Sequence, residues 1–178
     1  MIRIYIYERP LDVRDFLKER GLKGDIAEGP WGKPCLPGSG FYFNKSDSGP
    51  YCAFALSDEG EIGLDLQKIL PWHERYERLA GRFFRPEERE CLLSEDPKER
   101  GKVFFRLWTV KESYLKFTGK GLGGGLLSFR ADLFSGKIFT GKKEVPDACF
   151  RILEGPEGYA MSVCASSLPD QIEIIREK

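Results

Sequence analysis

From Phe104 to Thr118 the apolar residues return at three- and four-residue steps, and over that length only a helix gives such a period. Phe104, Leu107, Trp108, the aliphatic stem of Lys111 and Leu115 form one stripe, the buried one. Arg106, Thr109, Ser113 and Lys116 form a second stripe at the same spacing, with Glu112 beside it. Gly119 supplies the stop, because helices commonly end on a residue of positive φ and glycine takes it without steric cost. The helix is expected to run from about Pro97 to Thr118. Any packed helix needs an apolar face. A carboxylate, hydroxyls and two cations along the other face need a second explanation.

Part of that explanation lies upstream. Glu61-Ile62-Gly63-Leu64-Asp65-Leu66-Gln67 alternates strictly, a strand with Ile62, Leu64 and Leu66 on one face and Gly63, Asp65 and Gln67 on the other. An aspartate midway through an apolar strand is costly unless ligated or paired, and the glycine before it clears space beside it. Asp65, Gln67 and Glu112 then offer two carboxylates and an amide oxygen. That set suits Mg²⁺, a hard ion that takes a few protein oxygens and shares the rest of its shell with water and phosphate. Lys116, one turn beyond Glu112, can neutralise charge on a departing phosphate. The plainer alternative for Glu112 and Lys116 is an exposed i,i+4 ion pair worth about 0.3–0.5 kcal/mol. Gly32-Lys33-Pro34 and the run from Asn44 through Ser46, Asp47 and Ser48 to Gly49 are turn chemistry taken singly. Together they offer a lysine, hydroxyls and backbone N–H groups to a phosphate.

The remaining pattern is mixed. Ile2, Ile4 and Ile6 mark an opening strand, Asp12–Arg20 a short helix stopped by Gly21, and Phe41–Asn44 and Tyr51–Leu56 two further strands. The Gly- and Pro-rich stretch 29–38 forbids helix. Helical segments are expected over Glu74–Phe84 and Glu87–Leu93, then strands over Ser128–Leu133, Ile138–Thr140, Cys149–Glu154, Tyr159–Ala165 and Ile172–Ile175. This is an α+β arrangement. The turn at Ser57–Gly60 divides it into an N-terminal half, 1–60, and a C-terminal half, 61–178, forming one functional unit with the site at their interface. Equal numbers of Lys+Arg and Asp+Glu, 28 each, disfavour a general nucleic-acid or membrane binder. No apolar run approaches the ~18–20 residues of a membrane span. Five scattered cysteines without a Cys-x-x-Cys read as free thiols in a reducing cytoplasm, and with one histidine a zinc site has no ligand set. Neither a P-loop nor a Gly-x-Ser-x-Gly elbow is present.

Six ordered blocks resemble one known family, the 4′-phosphopantetheinyl transferases of the longer single-chain, Sfp type. Ile62-Gly63-Leu64-Asp65-Leu66-Gln67 and Trp108-Thr109-Val110-Lys111-Glu112-Ser113-Tyr114-Leu115-Lys116 match its two signature motifs. Arg82-Phe83-Phe84-Arg85-Pro86-Glu87-Glu88 lies between them, and Gly119-Lys120-Gly121-Leu122 follows. Gly32-Lys33-Pro34 and Phe43-Asn44-Lys45-Ser46-Asp47-Ser48-Gly49 precede them in the family's order. The resemblance implies two α+β halves related by a pseudo-two-fold axis. It also implies transfer of phosphopantetheine from coenzyme A to a serine of an acyl or peptidyl carrier protein, with release of adenosine 3′,5′-bisphosphate. By position, Asp65, Glu112 and Gln67 would hold Mg²⁺, Glu112 would help deprotonate the serine, and Lys116 would stabilise the leaving phosphate. Lys33, Pro34, Ser46, Asp47 and Lys116 would hold the coenzyme. A monomer in the cytoplasm, needing no partner subunit to complete its site, is the matching expectation.

Three departures qualify the match. Gln67 replaces a glutamate and brings no charge to the metal, so weaker Mg²⁺ binding is expected. Asp47 replaces a histidine and would repel a phosphate unless paired with Lys33 or Lys45. The segment before Gly32 is less than half the family's length, which leaves Arg9, Arg14 and Lys18 to replace basic residues that hold the coenzyme's 3′-phosphate. A relative that binds coenzyme A or a carrier protein without catalysis is the alternative reading. A Mg²⁺-dependent nuclease is a weaker one, since a neutral chain pulls little on DNA. Carrier proteins are acidic as a rule, so a basic patch around Arg82, Arg85 and Lys120 is expected near the site.

Overall fold

The computed structural model describes residues 1–121 and 125–177. Leu122 of the motif tail and glycines 123 and 124 therefore lie outside the described residues. The elements are β1 (Ile2–Tyr7), α1 (Val13–Glu19), β2 (Ala27–Glu28), β3 (Pro34–Cys35), β4 (Tyr42–Ser48), β5 (Tyr51–Ser57) and β6 (Ile62–Lys68). Three helices follow, α2 (Glu74–Phe83), α3 (Pro86–Ser94) and α4 (Arg100–Thr118). The chain then closes with β7 (Arg130–Asp132), β8 (Lys137–Thr140), β9 (Lys143–Leu153), β10 (Tyr159–Ala165) and β11 (Glu173–Glu177). The α+β class is as expected.

Two sheets carry the molecule. The first has the order β11-β1-β5-β4, with β1 parallel to β11 and antiparallel to β5. The second, β6-β10-β9-β8-β7, is antiparallel throughout. The last strand thus returns to the sheet that the first strand opened. Between the sheets lies one core: Ile2, Ile4, Ile6, Ala53 and Ala55 meet Ile62, Leu64, Leu66, Met161, Val163 and Ala165. Each large aliphatic side chain buried there contributes about 1.5–3 kcal/mol. The outer face of the first sheet is covered by α1, whose Phe16 stacks on Phe54 at 4.0 Å. Asp12 caps α1, accepting a hydrogen bond from the Asp15 amide at 2.8 Å. The outer face of the second sheet is covered by α4, itself overlaid by α2 and α3.

Being enclosed on both sides changes how α4 uses its polar stripe. Thr109 and Ser113 are fully buried. Their hydroxyls donate within the helix, to the carbonyls of Arg106 (3.0 Å) and Val110 (2.9 Å), and Thr109 also meets Ser162 of β10 at 2.8 Å. A hydroxyl satisfied by its own helix can be buried cheaply, so periodicity alone misassigns it to solvent. The helix begins at Arg100, three residues later than Pro97, and ends as expected with Gly119 at φ 68°. Two strand boundaries also move. Ser46-Asp47-Ser48, read as a turn, belongs to β4, and the turn is Gly49-Pro50. Strand β9 starts at Lys143, six residues before Cys149.

Candidate active site

The site is built where α4 touches β6. A Cβ on Gly63 would stand 1.9 Å from the Ser113 carbonyl oxygen and 2.4 Å from the Phe117 nitrogen. Helix and strand backbones are therefore in direct contact, a distance that only glycine permits. That contact sets Lys116 over the strand. Its ammonium donates to Asp65 Oδ1 at 2.7 Å, the Leu64 carbonyl at 3.0 Å and Ser46 Oγ at 3.1 Å. Lys116 thus meets Asp65 across the two elements, which the exposed-pair alternative did not foresee.

The opposite wall is β4. Asn44, Ser46 and Ser48, two residues apart, point one way from the strand. They accept hydrogen bonds from the amides of Leu64 (2.9 Å), Leu66 (3.1 Å) and Lys68 (3.0 Å). These are the outward amides of β6, whose other edge pairs with β10. The two sheets are therefore stitched by side chains where a ladder would otherwise run. Ser46 has a further duty: it donates to Asp65 Oδ1 at 2.9 Å. Its hydroxyl is thus a fixed node joining both sheets and the helix. Period-two polarity in Asn44, Ser46 and Ser48 was the available signal for this stitching.

Asp65 is buried, and among the described residues its second oxygen, Oδ2, has only a 3.3 Å hydrogen bond from the side-chain amide nitrogen of Gln67. Glu112 is half-buried, and among the described residues its carboxylate accepts no hydrogen bond. Burial raises its pKa, the charge of Asp65 adds to the shift, and Lys116 opposes it. Two carboxylates repel each other here, one of them without a hydrogen bond among the described residues, and their oxygens are the ones a hard cation could take. Among the described residues no group of three or more His, Cys, Asp or Glu converges. Asp65 and Glu112 can supply only part of a Mg²⁺ shell, which that ion completes with water and phosphate, while Gln67 turns its amide nitrogen to Asp65. The donor set fits.

Lys33 comes to the same region from the 3₁₀ turn Pro30–Gly32, in which Trp31 takes φ 65° and is largely exposed. Its ammonium is held by the Glu61 carboxylate and donates to the Ile62 carbonyl at 2.9 Å. A cavity of about 210 Å³ opens among Trp31, Lys33, Pro34, Asn44, Lys116 and Gly119. Asp47 lies apart from it, exposed and ion-paired with Lys45 at 3.0 Å. A larger cavity, about 670 Å³, opens near Tyr51, Arg106, Tyr159 and Arg176 and is lined by none of the residues expected to hold metal or coenzyme. The structure therefore gathers Asp65, Gln67, Glu112, Lys116 and Ser46 around one point, with Lys33 and Pro34 at an adjoining cavity. Sequence reasoning missed Asn44 as a joint, and Glu61 and Glu88 as partners of Lys33 and Lys111.

The sequence has known relatives. The sequence model of the 4′-phosphopantetheinyl transferase superfamily matches residues 61–164. The Bacillus subtilis 4′-phosphopantetheinyl transferase Sfp is 37% identical over 155 residues, covering 82% of this chain and 65% of that one. Another B. subtilis 4′-phosphopantetheinyl transferase is 34% identical over 165 residues, covering 91% and 70%. A Synechocystis sp. protein provisionally given the same name is 43% identical over 137 residues, covering 67% of this chain and 55% of its own. The chain thus spans between 55% and 70% of the length of these relatives. With the motifs at 62–67 and 108–116 inside the matched region, the chain belongs to the 4′-phosphopantetheinyl transferase superfamily.

Proposed function

We propose that this chain transfers 4′-phosphopantetheine from coenzyme A to a serine of an acyl or peptidyl carrier protein, with Mg²⁺, releasing adenosine 3′,5′-bisphosphate. The observation that carries the reading is the cluster of Asp65, Ser46 and Lys116 within 2.7–3.1 Å beside the carboxylate of Glu112, which accepts no hydrogen bond among the described residues. Asp65 and Glu112 would hold the metal, with Gln67 orienting Asp65 through its amide. The bound ion supplies charge neutralisation on the coenzyme's pyrophosphate. Glu112 accepts the serine proton, directly or through a water. The serine oxygen forms a bond to the phosphorus that carries pantetheine, and the bond from that phosphorus to the adenosine half breaks. Lys116 stabilises the charge left on the departing phosphate. Lys33, Pro34 and Ser46 line the approach of the coenzyme. Asp47, neutralised by Lys45, does not repel it. The carrier meets exposed Arg82 and Lys120 and half-buried Arg85. The halves 1–60 and 61–178 act as one unit in a cytoplasmic monomer, with β11 lent to the first.

The test is incubation with coenzyme A, Mg²⁺ and an apo carrier protein, read by intact mass for the gain of one phosphopantetheine group. Glu112→Gln and Lys116→Ala are each expected to slow transfer by about a hundred-fold or more. No gain at saturating Mg²⁺ sinks the transferase reading in favour of a binding-only relative. A Glu112→Gln variant as fast as the parent sinks the mechanism alone.

A further inference from the structure

Lys33 does not meet the cavity as a free cation. Its side chain is 13% exposed, and its ammonium already holds the Glu61 carboxylate and the Ile62 carbonyl oxygen at 2.9 Å. Two of its three N–H donors are thereby committed. The carbonyl contact fixes where the ammonium sits, because Ile62 is buried in β6. Glu61 is different: it stands just before that strand with a side chain 49% exposed. A carboxylate so placed is free to leave, and it takes the same donor that an incoming phosphate oxygen would use. The cavity brings a second cation, Lys116, whose three hydrogen bonds go to Asp65, Leu64 and Ser46, its anion being the buried Asp65. Among the cations lining this cavity, Lys33 alone has a displaceable anion.

We propose that Glu61 is an internal counter-anion on Lys33 that competes with phosphate-bearing ligands and so sets how tightly this cavity takes them. The proposal rests on Lys33 lining the coenzyme's approach. An anionic group reaching Lys33 must either displace Glu61 or sit beside it, and both weaken binding. An exposed ion pair is worth little by itself, so the effect is a tuning of affinity and not a block. Removing the charge at Glu61 frees a donor and lifts a like-charge repulsion, without touching Asp65, Glu112 or Lys116.

The test uses adenosine 3′,5′-bisphosphate, which binds without turnover, in titration calorimetry on the whole chain at low salt. Glu61→Gln is expected to tighten binding roughly three- to ten-fold, and the gain should shrink at about 0.5 M salt, where exposed charges are screened. Lys33→Met is expected to weaken binding, and Glu61→Gln added to Lys33→Met should change nothing more, since the cycle isolates the pair. Unchanged or weaker binding in Glu61→Gln, while Lys33→Met weakens it, overturns the role of Glu61 and leaves that of Lys33 standing. Tightening of equal size in the Lys33→Met background overturns the competition and reduces Glu61 to a general field effect. Parent-like binding by Lys33→Met overturns both the placement of Lys33 and this inference, while the transfer assay still decides the activity.

Discussion

Lys111 and Glu112 are consecutive residues whose charges the fold treats in opposite ways. The ammonium of Lys111 is fully buried yet fully used: it donates to both oxygens of Glu88, at 2.9 and 2.8 Å, and to the Phe129 carbonyl at 3.0 Å. Glu88 in turn accepts from the amides of Arg85 and Ala131, each at 2.7 Å. Burial lowers the Lys111 pKa and Glu88 works against that shift, so the pair stands or falls together. Lys111→Met, which strands the glutamate, is expected to cost about 3–5 kcal/mol in denaturant unfolding, with part regained by adding Glu88→Gln. Glu112 has no such partner, and its ionised form opposes folding. Its folded pKa lies above the unfolded one, so the penalty is absent below about pH 4 and grows as pH rises through the carboxylate range. Glu112→Gln should therefore raise the melting temperature at pH 7 in chelator, leave it unchanged at low pH, and lose the proposed transfer. Equal melting temperatures at pH 7 would refute the charge argument.

At the scale of elements, one glycine and one strand decide whether those residues meet. Gly63→Ala drives a methyl into the backbone of α4 at Ser113 and Phe117, where neither neighbour is a flexible side-chain end. The helix must shift, at upwards of about 3 kcal/mol, and Lys116 leaves Asp65. Loss of stability together with loss of transfer is expected, whereas Gly81→Ala, on an open face of α2, should leave both alone. This contact explains what could be read from the chain and what could not. Strict alternation in β6 and the three- and four-residue steps of α4 are local, so both elements, their cap at Gly119 and the residues Asp65, Glu112 and Lys116 were legible. The glycine's space was legible too, though not that a helix backbone fills it. Strand β4 was cut short because Ser46-Asp47-Ser48-Gly49 has every local mark of a turn. It stays extended because Ser46 and Ser48 serve amides of β6 twenty residues away. No local pattern reports a partner that distant. Lys111 was placed on the buried stripe by its stem alone, since the spacing says nothing of where an ammonium ends.

For the whole molecule the question is whether the sheets can unfold apart. The core between them draws on β1 and β5 from one side and on β6 and β10 from the other, and Leu168, Ile172 and Ile174 near the C-terminus pack against it. Strand β11 lies parallel to β1 in the first sheet, with Arg3 held to Glu173 and Arg20 to Glu177. Each sheet exposes its inner apolar face if the other is removed, so heat should melt the chain in one cooperative transition. Ile4 of the first sheet and Met161 of the second are both fully buried in this shared core. Ile4→Ala and Met161→Ala should each cost about 2–5 kcal/mol. At about 2–4 °C per kcal/mol for a chain of this size, each should lower the same single calorimetric peak by several degrees. Two peaks, with Ile4→Ala moving one and Met161→Ala the other, would show that the sheets fold independently. The site at their seam would then lose the contact of Ser46 with Asp65 at the lower of the two transitions.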